Sequence, residues 1–345
     1  YCRLASIYFA KLLLLTKISK ILLALLASLP LLFMTYCETV VDINSTWEEI
    51  TIVYGLLDKG DNVHYFRINK AFLGGNVLEV AKIADSSYYQ NQLQVVLEGY
   101  ENGTLKQTIP FDTATISNKD TGFWYNPYMV VYKGTGQLNP GYQYKLYIKN
   151  TKSGKEIRGT TNLVQDFSIE APPAGGKINF VYDQFINFKW KYAKNAIRYE
   201  PLIIFKYWEI PLGTSDTILK YMEWPQTIKF GENLTGEGEM QPVSVSSNGF
   251  YSTILTKLDQ NFEGERLADS IFFYVSAAGP EYDAYLKVNE PSSSLVTERP
   301  EYTNIEGGFG FMSSRFQIVR GKRLHVDTES NLIDLNIGFV KNPHL

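Results

Sequence analysis

Three groups of residues in this 345-residue chain have the types and spacing to do chemistry. Glu232, Glu237 and Glu239 stand close together in GENLTGEGEM. Paired carboxylates are the apparatus of glycoside hydrolysis, provided that the fold sets them at the right separation. Sequence spacing does not fix that separation, and a solvated acidic loop is the plainer reading. Asp259-x-Asn261-x-Glu263-Gly264 repeats the first half of an EF-hand loop, with oxygen ligands at alternate positions and a glycine at the bend. The twelfth position is Ser270, which cannot give the bidentate carboxylate that completes such a site, so the segment reads as an acidic turn. His64, His325 and His344 are far apart and read as surface or packed histidines. H-E-x-x-H, G-x-S-x-G, P-loop and C-x-x-C arrangements are absent, and the glycines of Glu306-Gly307-Gly308-Phe309-Gly310 lack dinucleotide-binding spacing. The expectation is a non-enzymatic chain with no catalytic residue, metal site or cofactor assigned.

Aromatic residues are the abundant recognition resource: 24 Tyr, 20 Phe and 5 Trp. Phe188 and Trp190 fit a strand alternation and read as core. Trp124, Tyr125 and Tyr128 lie in GFWYNPY, a Gly- and Pro-bounded stretch that could present flat rings to a sugar or a protein. Trp208, Tyr221 and Trp224 flank residues 211–249, which read as long loops. These six are the candidate ligand- or partner-binding residues.

The elements that must position them are written in composition and pattern. With 45% hydrophobic and 20% charged residues the chain folds, and its length points to two domains. A net charge of −3 gives no basic field for phosphate backbones, which excludes general nucleic-acid binding. Residues 1–36 carry Arg3, Lys11, Lys17 and Lys20, no acid, and the apolar run ILLALLASLPLLFMTY, the pattern of a signal peptide. Cys37 follows at once. Cys2 leaves with the leader, so a disulfide framework is excluded, and a lone Cys at this point reads as the lipidated first residue of a bacterial lipoprotein. Tyr36 stands where a small residue is usual before such a Cys.

Residues 37–46 then form a tether, and short runs of β-branched and aromatic residues closed by turns follow. Gln92–Tyr100 and Thr104–Phe111 flank Asn102-Gly103, a type I′ hairpin signal. Tyr142, Tyr144, Leu146 and Ile148 share one face of a second hairpin turning at Lys152-Ser153-Gly154. ITIVYGLL and VHYFRINKAFL complete an N-terminal β-sandwich over 47–170. Ala171–Gly176, APPAGG, is the linker. A C-terminal β-rich domain over 177–340 includes strands at 202–208 and 270–277 and a short helix at 252–260, while 281–288 is open between helix and strand. The fold class is mainly β: two consecutive sandwiches, Ig-like or fibronectin-III-like, with a short helix or two in the second.

ITIVYGLLDKGDNVHYFRINKAFLGG, DTGFWYNPYMVVY, YKLYIKNTKSGKEIRGTTNLVQDFSI and YTNIEGGFGFMSSR resemble, in this order, segments of uncharacterised Bacteroidota lipoproteins, over about residues 37–320. The resemblance implies a cell-envelope location, at the outer membrane or cell surface. It also implies a role as an accessory of a TonB-dependent receptor or of surface machinery. The expected job is to hold a protein partner such as an outer-membrane receptor, or a glycan or peptide that the receptor imports, through the loop aromatics around Trp124–Tyr128 and the 211–249 region. It assigns no catalytic residue. Two other classes stay open: a glycan-active surface hydrolase using Glu232, Glu237 or Glu239, and a structural adhesin or gliding component.

Overall fold

A computed structural model describes residues 50–71, 88–89, 91–117, 128–289 and 302–343. The leader, Cys37 and the tether lie outside the described residues, as do Trp124 and Tyr125. Strand dominates, with three helices among the described residues.

The first seven strands are β1 (Ile50–Asp58), β2 (Val63–Ala71), β3 (Leu93–Glu101), β4 (Thr104–Ile116), β5 (Met129–Thr135), β6 (Gln143–Asn150) and β7 (Glu156–Asn162). Asn102 and Gly103 adopt φ values of 49° and 79°, so the β3–β4 hairpin forms at the dipeptide whose chemistry favours positive φ. Alternation then sets one face inward. Tyr144, Leu146 and Ile148 of β6 are buried, beside Val95 and Leu97 of β3, Phe66 of β2 and Val53 and Leu57 of β1. Burying each such side chain contributes about 1.5–3 kcal/mol.

The chain continues through β8 (Ile169–Ala171), β9 (Lys177–Ile178), β10 (Phe185–Trp190), β11 (Arg198–Pro211), β12 (Ile218–Pro225), β13 (Lys229–Phe230) and β14 (Val243–Ser246). Helix α1 (Ser247–Lys257), β15 (Gly264–Ala278), α2 (Pro280–Asn289), β16 (Ile305–Glu306), β17 (Phe309–Leu324), α3 (Val326–Asp334) and β18 (Phe339–Val340) follow. Residues 281–288 are thus helical. The expected loops of 211–249 contain β12, β13 and β14: ILKYMEWP keeps few residues buried because it edges a sheet, which hides its strand pattern in sequence. The expected helix at 252–260 begins earlier, at Ser247, because Ser246 supplies the cap, its hydroxyl accepting the Gly249 N–H at 3.2 Å.

One hydrogen-bonded path joins the large sheet in the order β12-β11-β15-β17-β1-β2-β5-β4-β3-β6-β7-β16. β17 has two roles along its length. Phe309–Arg315 pairs in parallel with β1, and Arg315–Arg323 pairs antiparallel with β15. β16 pairs with β7 and runs through Gly307-Gly308 into β17, so this half of the sheet curls back on itself around one core. A second core gathers Phe188 and Trp190 of β10, Ile203 and Phe205 of β11, Phe273 of β15 and Phe250 of α1. Its rings meet edge to face, with centroids 5.1 Å apart for Phe188–Phe273 and 5.5 Å for Phe205–Phe250. Met312 belongs to the first core and Leu324 to the second, so β17 serves both.

Candidate functional site

β11 alternates strictly: Ile203, Phe205 and Tyr207 are buried, while Leu202, Ile204, Lys206 and Trp208 turn to the opposite face. Directly opposed residues of antiparallel strands share a face, so the register writes out that face row by row. Leu202 lies between Pro225 of β12 and Tyr274 of β15, with Val319 of β17 beyond. Ile204 lies between Glu223 and Phe272, with Gly321 beyond. Lys206 lies between Tyr221 and Ser270, with Arg323 beyond, and Trp208 lies between Leu219 and Leu267.

Two neighbouring rows are therefore almost wholly aliphatic and aromatic. Polar rows bound them: Glu200, Ser276 and Gln317 on one side, where Gln317 donates to the Ser276 hydroxyl at 2.8 Å, and Lys206, Ser270 and Arg323 on the other. The Phe272 and Tyr274 ring centroids are 6.3 Å apart. Gly321 leaves room for Phe272, since a Cβ there would meet the ring at 3.0 Å. Tyr221 is 60% and Val319 53% exposed. The Lys206 ammonium pairs with Asp269 at 3.1 Å and stands 5.8 Å from the Trp208 ring centroid. At the far end α2 covers the strand, where the buried Arg198 guanidinium meets Asp283 at 3.3 Å and Glu200 at 2.6 Å.

Of the candidate aromatics, Trp208 and Tyr221 come together on this face as diagonal neighbours. Trp224 turns to the opposite face, opposed to Ile203 with its ring 6.1 Å from Phe250. Tyr128 is half-buried at the start of β5 and stacks on Tyr88, whose hydroxyl donates to the Tyr128 carbonyl at 3.1 Å. Phe272, Tyr274 and Val319 were not singled out in sequence. The signal for Phe272 and Tyr274 lies in SIFFYVSAA, where burial of Ile271, Phe273 and Val275 obliges them to face the other way.

The acidic candidates lie elsewhere. Glu232, Glu237 and Glu239 are all exposed. Glu239 accepts a hydrogen bond from the Lys189 ammonium, which holds its carboxyl below the ordinary range. Around Asp259 the chain is organised by one of its own cations: the buried Arg266 guanidinium donates to the Asp259 carbonyl at 2.9 Å and the Ile337 carbonyl at 2.6 Å. Among the described residues no cluster of three or more His, Cys, Asp or Glu is placed to hold a metal ion. The unusual acid is Glu281, in the first turn of α2. It accepts from the Ser313 hydroxyl at 2.8 Å and the Thr161 hydroxyl at 3.5 Å, and burial pushes its carboxyl above the ordinary range.

No protein-family model matches this chain, and no curated protein matches it. Among solved structures, the C-terminal globular domain of an oligosaccharyltransferase from Pyrococcus abyssi is similar at a TM-score of 0.27 and 10% identity, over 80% of this chain and 49% of that one. This chain thus spans about half the length of that structure, and a likeness so slight carries no argument about fold or activity.

Proposed function

We propose that this chain is a lipid-anchored binding protein of the bacterial cell envelope, built as two β-units around its two cores. In this reading it holds a protein partner, an outer-membrane receptor, against the open face of β12, β11, β15 and β17. The observation that supports this is the pair of apolar rows, Leu202, Tyr274 and Val319 beside Ile204 and Phe272, bordered on both sides by polar rows. Aromatic and aliphatic groups inside a polar border are the anatomy of a protein interface. A sugar platform needs several polar groups beside its rings, and within these rows Glu223 and the Tyr274 hydroxyl alone supply them. The exposed positions of Glu232, Glu237 and Glu239 favour a non-catalytic role over a hydrolase.

The test is mass spectrometry of what co-purifies with the C-terminally tagged protein from detergent-solubilised envelopes. A stoichiometric outer-membrane receptor held by the wild type, and lost from a folded Tyr221→Ala/Val319→Asp variant, supports the reading. Retention by that variant, or the absence of any reproducible partner, overturns it. Cys37→Ala is the anchoring control and moves the protein to the soluble fraction if Cys37 carries the lipid.

A further inference from the structure

β12 ends the large sheet, and its register with β11 shows which of its backbone groups are already spent. Gln226 extends that ladder and donates its N–H to the Pro201 carbonyl at 2.9 Å. Bonding alternates from one opposed pair to the next in an antiparallel ladder. Ile218, Lys220, Met222 and Trp224 therefore turn their N–H and C=O groups toward β11, while Leu219, Tyr221 and Glu223 turn theirs away from the sheet. Among the described residues the Lys257 ammonium alone reaches this outer row, donating to the Glu223 carbonyl at 2.6 Å. The N–H and C=O groups of Leu219 and Tyr221 and the N–H of Glu223 have no partner among the described residues.

Such an edge is a template for another strand, and proteins usually blunt it with proline, a bulge or a charge turned across it. Between Ile218 and Trp224 there is no proline, and the β11–β12 pairing has no bulge. Lys220, the one cation of β12, lies on the face of Met222 and is drawn back to Glu209 at 3.8 Å. The outward backbone groups belong to the residues whose side chains stand on the docking face: Leu219 opposes Trp208, Tyr221 opposes Lys206 and Glu223 opposes Ile204. Tyr221 is 60% exposed. A strand laid along β12 would complete the ladder and carry the docking face one column further.

We propose that the partner held against this face adds an extended segment of its own to the free edge of β12, so that backbone pairing supplies part of the recognition. The chemistry of that segment follows from direct opposition across the new pair. It carries apolar or aromatic side chains opposite Leu219 and Tyr221 and a lysine or arginine opposite Glu223, at alternate positions. A second copy of this chain fits the edge less well. Because Lys220 lies on the other face, two-fold pairing of β12 with itself never sets a cation opposite Glu223. The inference rests on the docking reading above and names how the partner engages that site.

The experiment separates backbone from side chain at one position. Leu219→Pro removes an outward N–H that plays no part in the β11 ladder, a place where edge strands tolerate proline, and Leu219→Ala removes only the side chain. Both are compared with the wild type for capture of the outer-membrane receptor from detergent-solubilised envelopes. Amide exchange of β12 is measured with and without the captured receptor. The expected result is at least tenfold weaker capture by folded Leu219→Pro than by Leu219→Ala, with exchange at Leu219, Tyr221 and Glu223 slowed in the complex. Should Leu219→Pro fail to fold, the exchange decides, and unchanged rates at these amides overturn the proposal. Equal capture by the two Leu219 variants, with capture still lost from Tyr221→Ala/Val319→Asp, overturns strand addition and leaves the docking face standing. Retention by every variant, or no receptor at all, overturns both. A wild-type dimer in sedimentation that Leu219→Pro converts to monomer gives the edge to a second copy and overturns the partner strand.

Discussion

The side chain of Asn304 grips the backbone of Met312 from both directions: its Oδ1 accepts the Met312 N–H at 2.9 Å and its Nδ2 donates to the Met312 carbonyl at 2.7 Å. The same Nδ2 reaches the Thr160 carbonyl of β7 at 3.2 Å. One amide thus bridges β7 and β17 where the curled half of the sheet returns on itself. Ser314 continues the seam, donating to the Asn162 carbonyl at 2.7 Å and accepting the Val164 N–H at 2.9 Å. Asn304→Asp keeps the size and the acceptor but removes both donated bonds, and should cost about 1–3 kcal/mol. A lower urea midpoint at unchanged denaturant slope is the expected reading; an unchanged midpoint would show that the seam does not need this amide.

Tyr221 and Trp224 are three residues apart on β12 and face opposite ways, which separates binding from stability. Tyr221→Ala exposes no new core and should leave stability within about 0.5 kcal/mol while weakening partner capture. Trp224→Ala removes a ring beside Phe250 and should cost about 2 kcal/mol, less than for a fully buried ring. If Tyr221→Ala destabilises as much as Trp224→Ala, the two faces have been wrongly assigned.

This division was only partly legible in the sequence. The hairpins could be read because Asn102-Gly103 and the alternation around Tyr144–Ile148 are local signals. The helical state of Pro280–Asn289 could not, since Tyr282 and Tyr285 owe their place to the Phe311 ring some thirty residues on, at 5.6 Å and 4.5 Å. Trp208 and Tyr221 were individually visible as aromatics, but that they meet depends on the β11–β12 register, and their companions Phe272, Tyr274 and Val319 come from two further strands. Asn304 gave no signal at all, because an asparagine before a short strand looks like a turn residue until its long-range partners are known.

The raised Glu281 carboxyl sets a pH dependence whose sign follows from linkage. In the folded protein Glu281 holds its proton to higher pH than in the unfolded chain, because burial disfavours the carboxylate. Its contribution to stability is therefore fully present below the unfolded pKa and is lost as pH rises through the folded pKa. Glu281→Gln keeps the neutral shape, so its stability should fall less than that of the wild type as pH rises from about 4, the ordinary glutamate range, toward neutrality. Denaturant curves of both proteins from acid to neutral pH check this, and parallel curves would refute it.

Arg198 and Asp283 form a pair in which both side chains are only 6% exposed. Asp283→Ala leaves the guanidinium with Glu200 alone and should cost about 3 kcal/mol, whereas Arg198→Met/Asp283→Leu, which removes both charges, should cost distinctly less than the sum of its single variants. Additive losses in that cycle would mean that the two charges are not coupled.

Gly310 provides the sharpest test of the join between the two halves. It lies opposite Val53 in the parallel β1–β17 ladder, at φ 102°, and a Cβ there would stand 2.0 Å from the Val53 carbonyl oxygen. No rotamer change relieves a clash between a Cβ and backbone, so Gly310→Ala must push β1 off β17 and should cost more than about 3 kcal/mol. Gly154 also has positive φ, at 75°, but nothing lies within 4 Å of its missing Cβ. Gly154→Ala should therefore cost only the backbone strain, about 1–2 kcal/mol. Because Met312 and Leu324 anchor β17 in different cores, the damage from Gly310→Ala should spread. Amide exchange should quicken at Tyr54 and Gly55 in the first half and also at Ile318 and Val319 in the second. Faster exchange confined to β1 would mean that the two cores hold β17 independently.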